Sequence, residues 1–143
     1  DGERTPLWDS DLRGAFIGLS SFHKNPDFIR SVAEGINYLS RDVLQRAEQA
    51  IGDAVTYVSF SGGLSGSPEL CQLKADILGR SVRVPDNGET GLVGAAKLPR
   101  SPDNEPHAEP DQYTTYRPDA GQREYHDNRF QMFGQMSSLL MQL

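Results

Sequence analysis

The sequence contains one cysteine, Cys71, in 143 residues. No disulfide can close within such a chain, nothing in it calls for an oxidising compartment, and a cytoplasmic setting is the expectation. Long apolar runs are missing as well. None approaches the roughly 20 residues that a membrane-spanning helix needs, and no short apolar stretch follows a basic start as in a secretory signal. The reading is a soluble chain with no membrane partner. Basic clusters are also lacking: 14 Lys and Arg stand against 20 Asp and Glu, for a net charge of −6. Without clustered cations there is no footprint for the phosphate backbone, so nucleic acid is not an expected partner. The three histidines, His23, His107 and His126, are scattered without zinc-ligand spacing.

What is present fits one ordinary domain of 15.8 kDa, 24% charged and 36% hydrophobic, punctuated by 14 glycines and 9 prolines. The chain opens on Asp1 and a loop-like GERTP at 2–6, which reads as a piece of something longer. Acidity is even, with no charged tail.

Residues 7–22 mix Trp8, Phe16, Ile17, Leu19 and Phe22 with Gly14 and Gly18 and read as a loop leading to a short extended piece. Asn25 suits an N-cap and Pro26 a first helical position, where its missing N–H costs nothing. Phe28, Ile29, Val32, Ala33, Ile36, Leu39, Val43, Leu44, Ala47 and Ile51 then recur every three or four residues. That spacing predicts a helix with one buried stripe, stopped by Gly52. Gly35 within it suggests close packing against a neighbour. Residues 54–60 (AVTYVSF) read as a central strand. Pro68 to Leu78 reads as a helix ended by Gly79, and residues 81–84 as a second strand. A turn over 85–88 leads to a small-residue helix over 89–97. This order implies parallel strands joined by a right-handed crossover. Five of the nine prolines fall in 98–118, so residues 98–121 read as a linker or draped loop. Residues 122–143 regain helical spacing through Tyr125, Phe130, Phe133, Met136, Leu139 and Leu140.

The chemistry-bearing feature is a strand running into SGGLSGSP at 61–68 and then a helix. Glycines at a strand tip let backbone N–H groups approach a ligand, and a helix N-terminus suits a phosphate. The pattern is neither a P-loop nor GxGxxG, and a plain strand-to-helix turn explains it equally. ETGLVGAA at 89–96 leaves a helix surface with almost no side chains, which serves tight packing or a flat ring. Both segments would lie at the carboxyl ends of neighbouring parallel strands, where ligands of open α/β sheets bind. Cys71 reads as a buried structural thiol. Asp9 and Asp11 read as solvated loop residues, and Arg30 with Glu34 and Arg41 with Asp42 as surface or interface charges.

GERTP at 2–6, Trp8, RGAFIGLS at 13–20, RSVAEG at 30–35, SGG at 61–63, QLKADILG at 72–79 and ETGLVGAA at 89–96 occur in the order seen in C-terminal regions of the FGGY family of carbohydrate kinases. Residues 2–97 resemble that family, with an echo in Tyr125, Arg129 and Phe130. The resemblance implies an α/β fold of the actin-like ATPase, ribonuclease H-like type. It implies the ATP-facing portion of a kinase that moves the γ-phosphoryl group of MgATP to a sugar or polyol hydroxyl. By the same resemblance Gly62 and Gly63 approach the ATP phosphates, Ser67 lies near the adenine, and Glu89 and Gly91 begin the helix that closes the adenosine pocket.

Ser61 departs mildly from the family pattern. No DxGT-type loop and no sugar-side catalytic Asp appear in the chain. Mg²⁺, the base and the sugar site are therefore expected from an N-terminal domain, and this piece alone is expected to be inactive. The alternative is a noncatalytic nucleotide-binding or interaction module of the same fold. An open sheet edge and exposed apolar surface would favour self-association into a homodimer.

Overall fold

A computed structural model describes residues 2, 5–86 and 112–141. The chain divides into two compact units, Asp1–Ala54 with Gly121–Leu143, and Val55–Ala120.

The first unit is built on two helices, α1 over Asn25–Ile51 and α3 over Arg123–Leu140. Helix α1 spans the expected range, but its cap lies one residue earlier than expected. Lys24 is the N-cap and Asn25 the first helical residue. The reason is Asp27, whose carboxylate accepts the Lys24 backbone N–H at 2.8 Å and holds the entry to the helix. At the other end Gly52 donates its N–H to the Glu48 carbonyl at 2.9 Å.

The buried face of α1 is not the aliphatic stripe that the spacing suggested. Ile29, Val32, Ile36 and Ile51 are exposed, whereas Glu34, Asn37 and Tyr38 are buried. Helix α3 turns aromatic residues towards α1, and these are met by groups that hydrogen-bond or carry charge. The Tyr38 hydroxyl lies 3.0 Å from Nδ1 of His126, itself only 2% exposed. The Tyr38 ring stands 6.2 Å from Phe130 and 5.8 Å from Phe133. Arg41 lies 4.5 Å over the Phe130 ring and pairs with Asp127. Gly35 is not closely packed: a Cβ there would meet no atom within 4 Å.

Among the described residues the second unit is a three-stranded sheet with one α-helix. Strands β1 (Tyr57–Ser59) and β2 (Ser81–Pro85) pair in parallel, Val58 opposite Val82, joined through α2 (Pro68–Leu78). This is the expected crossover. Strand β3 (Tyr113–Tyr116) joins the other side of β2 antiparallel, with Arg83 opposite Thr115. Its stretch was expected to be linker. The flanking prolines hid a four-residue run of aromatic and β-branched side chains, which suits a strand. The core is Cys71, Ala75, Ile77 and Leu78 of α2 against Val82. The Arg83 guanidinium is held between two rings, 3.7 Å from Tyr57 and 4.7 Å from Tyr113, and so ties all three strands together.

Behind β3 the chain is clamped to α2. Gln72 Nε2 donates to the Arg117 carbonyl at 2.8 Å and to Asp76 Oδ1 at 2.8 Å, and that same oxygen accepts the Asp119 N–H at 2.7 Å. The helix expected at 89–97 lies outside the described residues, as does most of the linker expected at 98–121.

Candidate nucleotide-facing loop

The segment between β1 and α2 begins where Phe60 donates its N–H to the Arg83 carbonyl at 2.9 Å, extending the parallel pairing by one bond. Two residues on, Gly62 takes φ 100°, a conformation that only glycine adopts without strain. It turns the chain into a 3₁₀ turn over Gly63–Gly66. Ser65 fixes the turn from both of its donors: its N–H lies 2.9 Å and its hydroxyl 2.7 Å from the Gly62 carbonyl. The Cys71 thiol, fully buried, donates to the Ser65 carbonyl at 3.3 Å and ties the turn to the first turn of α2. Burial pushes that thiol above its ordinary pKa, so it is a structural group.

Ser67 is the N-cap of α2. Its hydroxyl oxygen accepts the Leu70 N–H at 3.3 Å and donates its proton to Glu69 at 2.8 Å. The Glu69 carboxyl is held below its usual range, chiefly by its own backbone N–H and then by the Ser67 hydroxyl. The positive end of α2 is thus already met by a carboxylate of its own first turn. The surface left for a ligand is the glycine turn itself. A Cβ added at Gly62, Gly63 or Gly66 would find no atom within 4 Å, so the backbone there faces open space. That openness fits the close approach of an anionic group to main-chain N–H donors. Lys74 lies one turn beyond Cys71, its ammonium 4.8 Å from the Phe60 ring centroid, with its pKa pushed down by burial.

Gly62, Gly63 and Ser67 therefore fall within one short turn. Glu89 and Gly91 lie outside the described residues. Ser65, Glu69 and Lys74 were not singled out from the sequence. Ser65 and Glu69 occupy positions where a hydroxyl or carboxylate completes a turn or cap, a signal that spacing carries. Lys74 gave none, because a lysine on an amphipathic helix ordinarily reads as surface. Among the described residues no group of three or more His, Cys, Asp and Glu is placed to hold a metal ion. No helix among them is long and apolar enough to cross a membrane.

Residues 1–99 match the profile of the FGGY family of carbohydrate kinases, C-terminal domain. This chain belongs to that family. A glycerol kinase of Listeria welshimeri is 42% identical over 97 residues, covering 68% of this chain and 20% of that protein. A gluconokinase of Bacillus subtilis is 36% identical over 97 residues, covering 68% of this chain and 19% of that protein. The crystal structure of ligand-bound xylulose kinase from Lactobacillus acidophilus superposes with a TM-score of 0.80 at 25% identity, covering 98% of this chain and 30% of that one. The chain thus spans about a fifth of the length of the curated relatives it matches. As a portion of an FGGY C-terminal domain it has the actin-like, ribonuclease H-like fold, and its mixed three-stranded sheet with helices is a small α/β part of that fold.

A concave feature lies elsewhere, in the helical unit. It is a groove of about 990 Å³ walled by α1, α3 and residues 14–19. Exposed Phe16 and Ile17 line it together with the half-buried Phe133. Its charged lining includes Asp27 and Glu34, and Glu34 pairs with Arg30 at 2.8 Å and Arg129 at 3.8 Å.

Proposed function

We propose that this chain is the ATP-binding portion of a sugar or polyol kinase, and that the Gly62–Gly66 turn receives the nucleotide phosphates. The observation that carries this reading is the turn itself, where Gly62 at φ 100° and two further glycines present uncovered main chain at the end of β1. Gly62 and Gly63 approach the phosphates, and Ser67 contributes beside the base. Glu89 and Gly91 complete the adenosine side, as the family resemblance implies. The nucleotide supplies the phosphoryl group, while this chain's residues bind and orient it.

Phosphoryl transfer also needs a metal site and a base on the attacking hydroxyl. In this reading those parts, with the sugar site, are assigned to an N-terminal domain of the same protein, as the family resemblance implies. A chain that matches only about a fifth of its relatives' length is expected to be inactive by itself. The single cysteine supports a cytoplasmic location, and the outer position of β1 and β3 in the described sheet supports self-association of the isolated piece.

The test is the intact mass of the protein made from its own gene, read beside a phosphoryl-transfer assay with glycerol, gluconate and several ketoses. A mass several times 15.8 kDa with ATP-dependent transfer to one of these is the expected result. A product of 15.8 kDa that binds nucleotide and transfers nothing would establish the noncatalytic module instead.

A further inference from the structure

The helical unit leaves one stretch of main chain unpaired. Residues 12–17 form no helix, turn or strand, and residues 13–19 are all exposed. Among the described residues no hydrogen bond reaches the main-chain N–H or C=O groups of residues 14–19. The side chains of this stretch nonetheless suit burial, since Phe16, Ile17 and Leu19 are large, apolar and exposed. Phe16 stands edge-on to Phe28 at 5.4 Å, which sets the stretch against α1. Beside it lies the aliphatic stripe that α3 does not cover. Exposed Val32 lines the same groove as residues 14–19, and Ile29 and Ile36, three residues before it and four after, continue its face of the helix. Single exposed aliphatic residues need no explanation, whereas a contiguous apolar face bordered by unpaired main chain marks an interaction surface. The charged groups around it are already engaged within the unit: Asp27 accepts the Lys24 N–H, and Glu34 pairs with Arg30 and Arg129. An occupant that matches this face is apolar in its side chains and hydrogen-bonding in its main chain, which describes a β-strand.

We propose that residues 14–19 are a docking edge for an apolar β-strand that belongs to the preceding polypeptide of the same protein. The main chain of that strand pairs with residues 14–19, and its side chains cover Phe16, Ile17 and the stripe of Ile29, Val32 and Ile36. The length of the relatives favours this occupant. The chain matches a C-terminal domain and covers 20% of the Listeria welshimeri glycerol kinase, so about four-fifths of such a kinase lies outside it. This inference rests on the chain being a portion of a longer kinase, and it names the surface that joins the portion to the rest.

The experiment is amide exchange read by mass spectrometry over residues 12–20, in this chain and in the protein made from its own gene, with phosphoryl transfer assayed on the latter. The expected result is exchange at the unprotected rate in this chain and at least about 100-fold slower in the full-length protein. Ile17→Asp, at an exposed position, should leave the melting curve of this chain in place and restore fast exchange over residues 12–20 in the full-length protein. If that variant does not fold at full length, the wild-type comparison decides alone. An active full-length kinase whose residues 12–20 exchange as fast as in this chain would overturn the inference and leave the kinase reading standing. Protection in a long but inactive product would keep the docking edge and remove the kinase reading. Protection already present in this chain and growing with its concentration would make a second copy the occupant and overturn the inference. A gene product no longer than this chain would remove both.

Discussion

Replacing Tyr38 with phenylalanine removes its hydroxyl and leaves the packing of the ring in place. The Tyr38 residue is 4% exposed and its ring lies within 6.2 Å of the Phe130 and Phe133 ring centroids, contacts that phenylalanine retains. What is lost is the hydroxyl 3.0 Å from Nδ1 of His126, an imidazole 2% exposed. A hydrogen bond contributes about 1 kcal/mol net, but deleting one partner of a buried pair also strands the other, so the expected loss is about 1–3 kcal/mol. For a chain of this size that lowers the melting temperature by roughly 3–10 °C. Circular dichroism through thermal unfolding reads it directly. A double-mutant cycle with His126→Phe should return a coupling of the same order. A melting temperature within 1 °C of wild type, or a coupling near zero, would refute the claim that this bond fastens α3 to α1.

Further outcomes follow from the same geometry. Burial, and then the nearby Glu34 charge, push the Tyr38 phenol up to about 12. A raised folded-state value leaves stability intact below the unfolded pKa near 10 and removes it as pH rises towards 12. An absorbance titration of wild type against Tyr38→Phe should show a phenol ionising towards pH 12 that the variant lacks, and a difference between them confined to pH 10 would contradict this burial. Gly35→Ala should raise stability by about 0.5–1 kcal/mol, because the added methyl meets no atom within 4 Å and the helix gains propensity. A fall in the urea midpoint would mean something packs there. Asp76→Ala removes the acceptor shared by Gln72 and the Asp119 N–H. Amide exchange over residues 113–119 should quicken at least tenfold, and unchanged protection would show that the clamp does not hold β3.

The elements that local chemistry defines were legible in the sequence. Helix α1 ends at Gly52 and α2 at Gly79, both in left-handed conformation, because a glycine stop is written in the residue itself. The parallel β1 and β2 pair followed from strand, helix, strand order. Burial was less legible, because it depends on which partner a helix meets. The aliphatic residues of α1 form a convincing stripe, yet α3 brings His126, Phe130 and Phe133, and Tyr38 and Arg41 answer them. Arg41 accordingly pairs with Asp127, while Asp42 turns to Arg46 at 3.0 Å. Glu34, read as a surface or interface charge, is buried at 3% exposure between two arginines. Strand β3 was hidden by prolines that bound it without interrupting it. In the candidate site the glycines were readable as a turn, whereas the Ser65 and Cys71 bonds that rigidify it required the fold.

The central claim is that the Gly62–Gly66 turn is a phosphate cradle. The measurement that tests it most directly is a titration of the ¹⁵N-labelled chain with ADP, following the backbone amides of residues 61–67. Saturable shifts concentrated at Gly62, Gly63 and their neighbours, abolished in Gly63→Val while the remaining spectrum is preserved, are the predicted result. Shifts confined to other residues, or an unchanged spectrum at millimolar ADP, would contradict it.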